Sequence, residues 1–218
     1  TIIGGPASPY DISDTIKKEM AKYGAVEKIS QYNSVFKYHN PNTHVFHIID
    51  HIGLCKKTSD LNSDKAVIDK LCEKTMEFRD FYNGTVVDIS QLNRNLNSMD
   101  RLKAGAVDVS RDDFKSSSNT FENADLVLGL LNPFKLNLTE YEGFNKSDYI
   151  YGNNNFFRVI RIIKNSYGSD DFKVPFYFHG ATGYIEEIPK PDYINGKLTP
   201  EAKTIIGNSI TNFKKKLA

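Results

Sequence analysis

Two residues in this sequence have the types and settings to work on a divalent cation and a phosphate. Asp50 closes an apolar run made by Val45, Phe46, Ile48 and Ile49, and Gln91 follows a second run, Thr85-Val86-Val87-Asp88-Ile89. Short runs of β-branched and aromatic residues read as strands, the first of them buried on both faces. Burying a carboxylate is costly, which places Asp50 at the carboxyl end of its strand, where a crevice opens. There it could hold Mg²⁺, an ion that takes oxygen ligands. The alternative is an aspartate that caps the next turn. Gln91 carries an amide able to bond phosphate or water, and an acid and an amide on one rim fit a nucleoside triphosphatase. The alternative for Gln91 is that it only opens a polar loop.

The elements that must position these two residues follow from the pattern around them. Between the two strands, Asp64 to Tyr82 has helical periodicity through Val67, Ile68, Leu71, Cys72, Met76 and Phe78, and Asn83-Gly84 stops it. Strand, helix and strand at this spacing make a βαβ unit with a parallel sheet. Upstream, Thr1 to Ile3 is a short strand, Gly4-Gly5-Pro6 a turn, and a helix capped by Asp11 or Ser13 runs to about Tyr23, ended by Gly24. Residues 25–40 are ambiguous, with strand-like alternation from Gln31 to Tyr38. Downstream, residues 95–120 form a long polar loop, Phe121 to Asp125 a helical turn, and Leu126 to Leu131 a third strand. After an irregular insert over 134–154, Phe156 to Ile163 and Phe172 to Phe178 form a hairpin with a long tip, and Gly183 to Ile188 a last short strand. Thr199-Pro200-Glu201 starts a helix that runs to about Leu217.

The 218 residues suffice for one sizeable core, and 39% hydrophobic with 25% charged residues is ordinary for a globular chain. A formal net charge of +1 excludes a bulk electrostatic pull on nucleic acid or membrane, though a local basic path remains open. The two cysteines, Cys55 and Cys72, have neither metal-ligand spacing nor a disulfide framework, as expected in a reducing compartment. His44 and His47 lie three apart on a strand and point to opposite faces, which argues against a zinc site. No apolar run reaches the length of a membrane span. The chain opens on Thr1-Ile2-Ile3 without methionine and reads as a fragment or processed product.

Four motifs, in order, carry a resemblance. Ser90-Gln91-Leu92-Asn93-Arg94 followed by Asn95-Leu96 resembles the SQLNR segment of the DnaB family of replicative helicases. The stretch Asp113-Phe114-Lys115-Ser116-Ser117-Ser118-Asn119-Thr120-Phe121-Glu122-Asn123-Ala124-Asp125-Leu126 resembles that family's DLRESGSIEQDADL without a gap. HVFHIIDHIGL, residues 44–54, is similar to the family's magnesium-binding strand, with His51 in place of the usual tyrosine. Lys164-Asn165-Ser166-Tyr167-Gly168 stands where the family has KQRNG between two strands.

The resemblance spans roughly residues 10–188. It implies an α/β fold: a RecA-like core with a mostly parallel sheet flanked by helices, ending in an antiparallel hairpin. Residues 1–188 would be a partial ATPase domain, and 189–218 a linker and C-terminal helix. It implies ATP and Mg²⁺ as cofactors, single-stranded DNA as substrate track, a homo-hexameric ring, a primase or loader as further partner, no membrane, and the cytoplasm of a bacterial or phage-infected cell. Asp50 would hold magnesium, Gln91 would sense the γ-phosphate, and Lys164 would reach the nucleotide of the neighbouring subunit. Lys115 matches the arginine of the DNA-contacting loop, where an ammonium still pairs with phosphate. Ser116 replaces an acid and Ser118 a glycine in that loop. With Lys115, the cations Arg94, Arg101, Lys103 and Arg111 could form a DNA-facing basic loop, which competes with an ordinary solvated loop because Asp100, Asp108, Asp112 and Asp113 interrupt it.

Two departures stand out. The family's finger arginine is Ser166 here, and serine cannot offer the planar, permanently charged fork of a guanidinium; Arg161 is the nearest substitute. No G-x-x-x-x-G-K-S/T phosphate loop occurs in the 218 residues, and the family's catalytic glutamate has no counterpart in them. By themselves these residues are expected neither to bind ATP tightly nor to hydrolyse it. A degenerate, non-catalytic module for assembly or DNA binding is the alternative reading.

Overall fold

The computed structural model of the chain describes residues 4–92, 98–114, 118–145, 155–188, 193–194, 197–201, 204, 207–208, 211–212 and 215. The strand expected at Thr1–Ile3 lies outside them. The chain divides into two compact units, Thr1–Asn93 with Asp112–Ala124, and Arg94–Arg111 with Asp125–Ala218.

The first unit begins with helix α1 (Pro9–Met20). Its cap is Ser8 rather than Asp11 or Ser13. The Ser8 hydroxyl accepts from the Asp11 amide at 3.2 Å, and the Asp11 carboxylate accepts from the Ser8 amide at 2.9 Å. This reciprocal box satisfies two helix-end donors, and Pro9 at the first helical position has no amide to leave unpaired. Ser8→Ala should therefore cost about 1 kcal/mol in urea unfolding. The helix stops at Met20, and Gly24 opens strand β1 (Gly24–Lys28), paired antiparallel with β2 (Ser34–Tyr38). A Cβ on Gly24 would stand 2.3 Å from the Lys37 carbonyl oxygen. The glycine answers to that close approach and not to a helix end.

Strand β3 (Phe46–Asp50), a 3₁₀ turn (Ile52–Leu54), helix α2 (Asp64–Tyr82) and strand β4 (Thr85–Ile89) form the expected βαβ unit, β3 and β4 pairing in parallel. Ser63 caps α2 by accepting from the Ala66 amide, and Asn83 ends it in the left-handed conformation (φ 52°) that asparagine tolerates. α2 covers one face of the strand pair. Ile68, Leu71 and Cys72 pack with Ile52 and Ile49, and Phe78 packs with Ile16, Met20, Val45 and Val86. Beyond β4 the chain forms α3 (Met99–Lys103), part of the second unit, and α4 (Ser118–Asn123), which returns to the first.

The second unit contains β5 (Leu126–Leu131), the small hairpin β6 (Glu140–Tyr141) and β7 (Phe144–Asn145), β8 (Phe157–Asn165), β9 (Phe172–His179) and β10 (Tyr184–Glu187). β10, β9, β8 and β5 make one sheet in that order, antiparallel throughout. The two-residue strands β11 (Tyr193–Ile194) and β12 (Lys197–Leu198) pair antiparallel, and the described residues from Pro200 to Lys215 are helical. The expected mostly parallel sheet is thus corrected: among the described residues β3 and β4 are the parallel pair and the other ladders are antiparallel. A nine-residue hairpin arm, β8, offers β5 an antiparallel partner, and that pairing requires no covered second face.

Charge also holds the second unit together. Lys173 donates to Asp108 at 2.7 Å and to Glu142 at 2.5 Å, and the Tyr141 hydroxyl donates to the other Asp108 oxygen at 2.5 Å. Burial alone would raise the Asp108 carboxyl, but the bonds from Lys173 and Tyr141 outweigh it and hold it below the usual carboxylate range. Lys173→Met leaves two half-buried carboxylates without their cation. It should cost about 2 kcal/mol in chemical unfolding, less than a fully buried pair because water still reaches both acids.

Candidate functional site

β3 and β4 run in register, Phe46 opposite Thr85, Ile48 opposite Val87 and Asp50 opposite Ile89. Alternation therefore sorts the residues cleanly. Val45, Ile49 and Val86 pack towards α2 and α1, whereas Phe46, Ile48 and Asp50 on β3, and Val87 and Ile89 on β4, lie on the other face and are exposed. Asp50 ends its row at the carboxyl rim, and Gln91, two residues past Ile89, continues the row of β4. Both side chains are exposed, and neither has a hydrogen bond or ion pair among the described residues. The 3₁₀ turn that follows has His51 as its N-cap and no side-chain cap bond, so Asp50 does not cap it. The Asp50–His51 peptide bond is cis. A carboxylate and an amide on one rim suit a hard cation and a phosphate, and on this donor set Asp50 could hold Mg²⁺.

The chain beyond Gln91 is tied to the segment that precedes Lys115. Leu92 and Phe114 form an antiparallel bridge, and Phe114 lies against Phe121 of α4. α4 is held to α2 by Asn119 donating to Asp69 at 2.9 Å and by the Cys72 thiol bonding Thr120. Arg94, Lys115 and Ser116 lie outside the described residues, as does the side chain of Ser118, whose backbone opens α4.

Two other expected DNA-facing cations sit in the second unit. Lys103 is exposed at the end of α3. Arg101 donates to the carbonyls of Ala106 at 2.8 Å and Asp108 at 3.0 Å, closing its own loop.

Lys164 lies near the end of β8, opposite Val127. Beyond it the tip is ordered locally. The Asn165 amide accepts from the Tyr167 backbone at 3.1 Å and donates to the Ser169 carbonyl at 3.0 Å, while the Ser166 amide donates to the Asp125 carbonyl at 2.8 Å. Arg161, the nearest substitute for the missing finger, is engaged by Asp171 and by the Val109 carbonyl at 2.9 Å.

No cluster of metal-ligating side chains occurs among the described residues. His44 bonds the Thr85 hydroxyl at 2.8 Å, and His47 sits edge-on to Phe78, where burial depresses its pKa. Asp88 was not among the expected site residues. It points to the α2 side of β4, its Oδ1 is buried with no partner among the described residues, and burial raises its pKa to about 6. The available signal was an acid at an inward position of an otherwise apolar strand.

No protein-family model matches the sequence, and no curated protein is similar to it. Solved structures are similar in fold. A DnaB-like replicative helicase, described with its interactions with primase, superposes with a TM-score of 0.57 at 14% identity over 82% of this chain and 35% of the other. A second solved structure, an ATPase domain, gives a TM-score of 0.60 at 15% identity over 84% of this chain and 52% of the other. The chain shares its fold with these two structures and spans about a third of the one protein and half of the other.

Proposed function

We propose that the chain is the carboxyl-terminal part of the ATP-driven motor of a DnaB-like replicative helicase, acting in a cytoplasmic ring of six copies on single-stranded DNA, with a primase or loader as further partner. The observation that carries this reading is the exposed pair Asp50 and Gln91, without a partner among the described residues, at the carboxyl rim of two parallel strands in register. In this reading Asp50 holds the magnesium of MgATP, and Gln91 meets the γ-phosphate. The Leu92–Phe114 bridge is the short link from Gln91 to the DNA loop of Arg94, Lys115, Ser116 and Ser118. Lys103 adds a cation, Arg101 shapes the loop it closes, and Lys164 reaches the neighbouring subunit's nucleotide. Residues 1–188 are the motor part, and 189–218 its linker and terminal helix. The test is DNA-stimulated ATP turnover of the intact protein. Gln91→Ala should keep MgATP binding and lose the stimulation by DNA; turnover unchanged in both Gln91→Ala and Asp50→Ala would contradict the reading.

A second reading, a non-catalytic module for assembly or DNA binding, is favoured by the finger. Ser166 stands at the arginine, and Arg161 is committed to Asp171 and Val109. An arginine finger is worth about 10³–10⁵ in turnover elsewhere. Ser166→Arg should therefore raise ATP turnover at least roughly tenfold in a motor that now relies on Lys164 alone. No change, with silent Asp50 and Gln91 variants, assigns the non-catalytic role.

A further inference from the structure

Strand β1 has β2 on one side, and among the described residues its other edge is open. Two bonds fix which groups line that edge. The Ile29 amide donates to the Asn33 carbonyl at 2.9 Å, and the His39 amide to the Tyr23 carbonyl at 2.8 Å, both in step with the ladder. Bonded and non-bonded pairs alternate along antiparallel strands. Ala25 and Glu27 therefore turn their backbone groups to β2, and Gly24, Val26 and Lys28 turn theirs outward. Residues 25–33 are exposed without a break, Val26 by 55% and Ile29 by 64%. β2 is tied down instead, with Phe36 and Tyr38 packed against the cluster of Ile16, Met20 and Phe78. A row of outward donors and acceptors like that of β1 is a template for a further strand.

We propose that this edge pairs with the same edge of a second copy, β1 against β1 about a two-fold axis at Val26, giving a four-stranded antiparallel sheet. The strand's fit to itself chooses this occupant. A two-fold contact sets each residue against the one equally far beyond the axis. With Val26 opposite the partner's Val26, Gly24 lies opposite the partner's Lys28, and outward backbone groups meet outward groups. The same register sorts the side chains. On one face Phe36, Val26, the partner's Val26 and the partner's Phe36 follow one another as an apolar row. On the other face Lys37 and Ala25 are followed by the partner's Glu27. Two strand spacings, about 10 Å, separate that pair, and the small Ala25 between them lets the ammonium reach the carboxylate. Within one copy Lys37 pairs with Glu27 at 2.5 Å, both of them exposed, so the charges of the two copies alternate in sign. Charges usually keep a strand edge from pairing, and here the two-fold matches them. Moving the axis one residue on would set Glu27 against the partner's Glu27, which selects Val26. The inference goes beyond the motor reading and does not rest on it. A two-fold contact closes two copies and cannot close six, so in a ring it joins one ring to another.

Val26→Cys tests the register in the protein expressed from its natural reading frame. Under oxidised glutathione it should give a reducible dimer linked through residue 26, told apart from links at Cys55 or Cys72 by peptide mapping. The link should form at least roughly tenfold faster than in Ile29→Cys, whose two copies the register holds too far apart for a disulfide. Val26→Pro removes an outward amide and spares the ladder to β2, so sedimentation should show the dimer lost and circular dichroism the fold kept. Glu27→Lys and Lys37→Glu should each weaken association by roughly tenfold, and the two together should restore it. Equal linking at residues 26 and 29 would mean random collision and overturn the proposal. Sedimentation unchanged by Val26→Pro would overturn it too. A link at residue 26 in residues 1–218 alone, absent from the natural product, would give the edge to another segment of the polypeptide and overturn it as well. None of these readouts involves ATP, so the motor reading stands or falls apart from them.

Discussion

Asp50→Ala should lower Mg²⁺-dependent ATP turnover of the intact protein by roughly a hundred- to a thousandfold, the loss of about 3–4 kcal/mol of transition-state stabilisation. The expectation follows from where the residue stands. It is the last residue of β3, exposed on the rim, with no hydrogen bond or ion pair among the described residues and no capping role in the turn that follows. A carboxylate without a partner among the described residues contributes little to stability, so the variant should melt within a few degrees of the wild type. That combination, intact fold and lost metal-dependent turnover, separates a magnesium ligand from a structural acid. A calorimetric titration of MgATP against ATP with chelator separates the two independently, because Asp50→Ala should erase the difference that magnesium makes.

The second large effect belongs to Asp88, and it acts on stability. Its carboxyl lies on the α2 side of β4, close enough to Cys55 and Cys72 for its charge to raise both thiols further. Burial raises its own pKa from 3.8 to about 6. The ionised form is the costly one in the folded chain. The contribution of this group to stability is therefore fully present below about pH 3.8 and is lost as the pH rises through about 6. A shift of that size corresponds to about 3 kcal/mol. Asp88→Val removes the charge and suits a strand, so it should stabilise the chain by about 2–3 kcal/mol at pH 7.5 and by little at pH 4, as read by urea unfolding across that range. A wild-type stability that does not fall between pH 4 and 7 would place the carboxylate in water.

What could be read from the residues, and what could not, divides along physical lines. β3, β4, β5 and α2 came through because each carries a dense apolar period, and the β8–β9 hairpin because two such runs flank a polar tip. Of the β1–β2 hairpin only β2 did, inside the alternation from Gln31 to Tyr38, since β1 has one buried position, Gly24, and offers no alternation to detect. The cap at Ser8 was legible in Ser8-Pro9-Tyr10-Asp11, but Asp11 and Ser13 are equally good capping types within the next turn. α3 spans five residues, too few for a helical period, and is set by Ser98 accepting from the Arg101 amide. The mostly parallel sheet was the natural extension of one βαβ unit, and nothing in β5 itself announces that its partner is the antiparallel β8. At the rim, Asp50 and Gln91 were found from strand ends alone. Their membership of one open face needed the register. Asp88 needed it too, because only the pairing shows which side of β4 is covered.

Asp50 and Gln91 should flank one bound metal–nucleotide. The most direct measurement replaces Mg²⁺ by Fe²⁺ in the intact protein with ATP and maps the backbone cuts that ascorbate and peroxide produce around the iron. Cuts clustered at residues 50–52 and 90–92, dependent on ATP and absent in Asp50→Ala, are the expected result. ATP-dependent cleavage confined to other segments, or unchanged by Asp50→Ala, would contradict it.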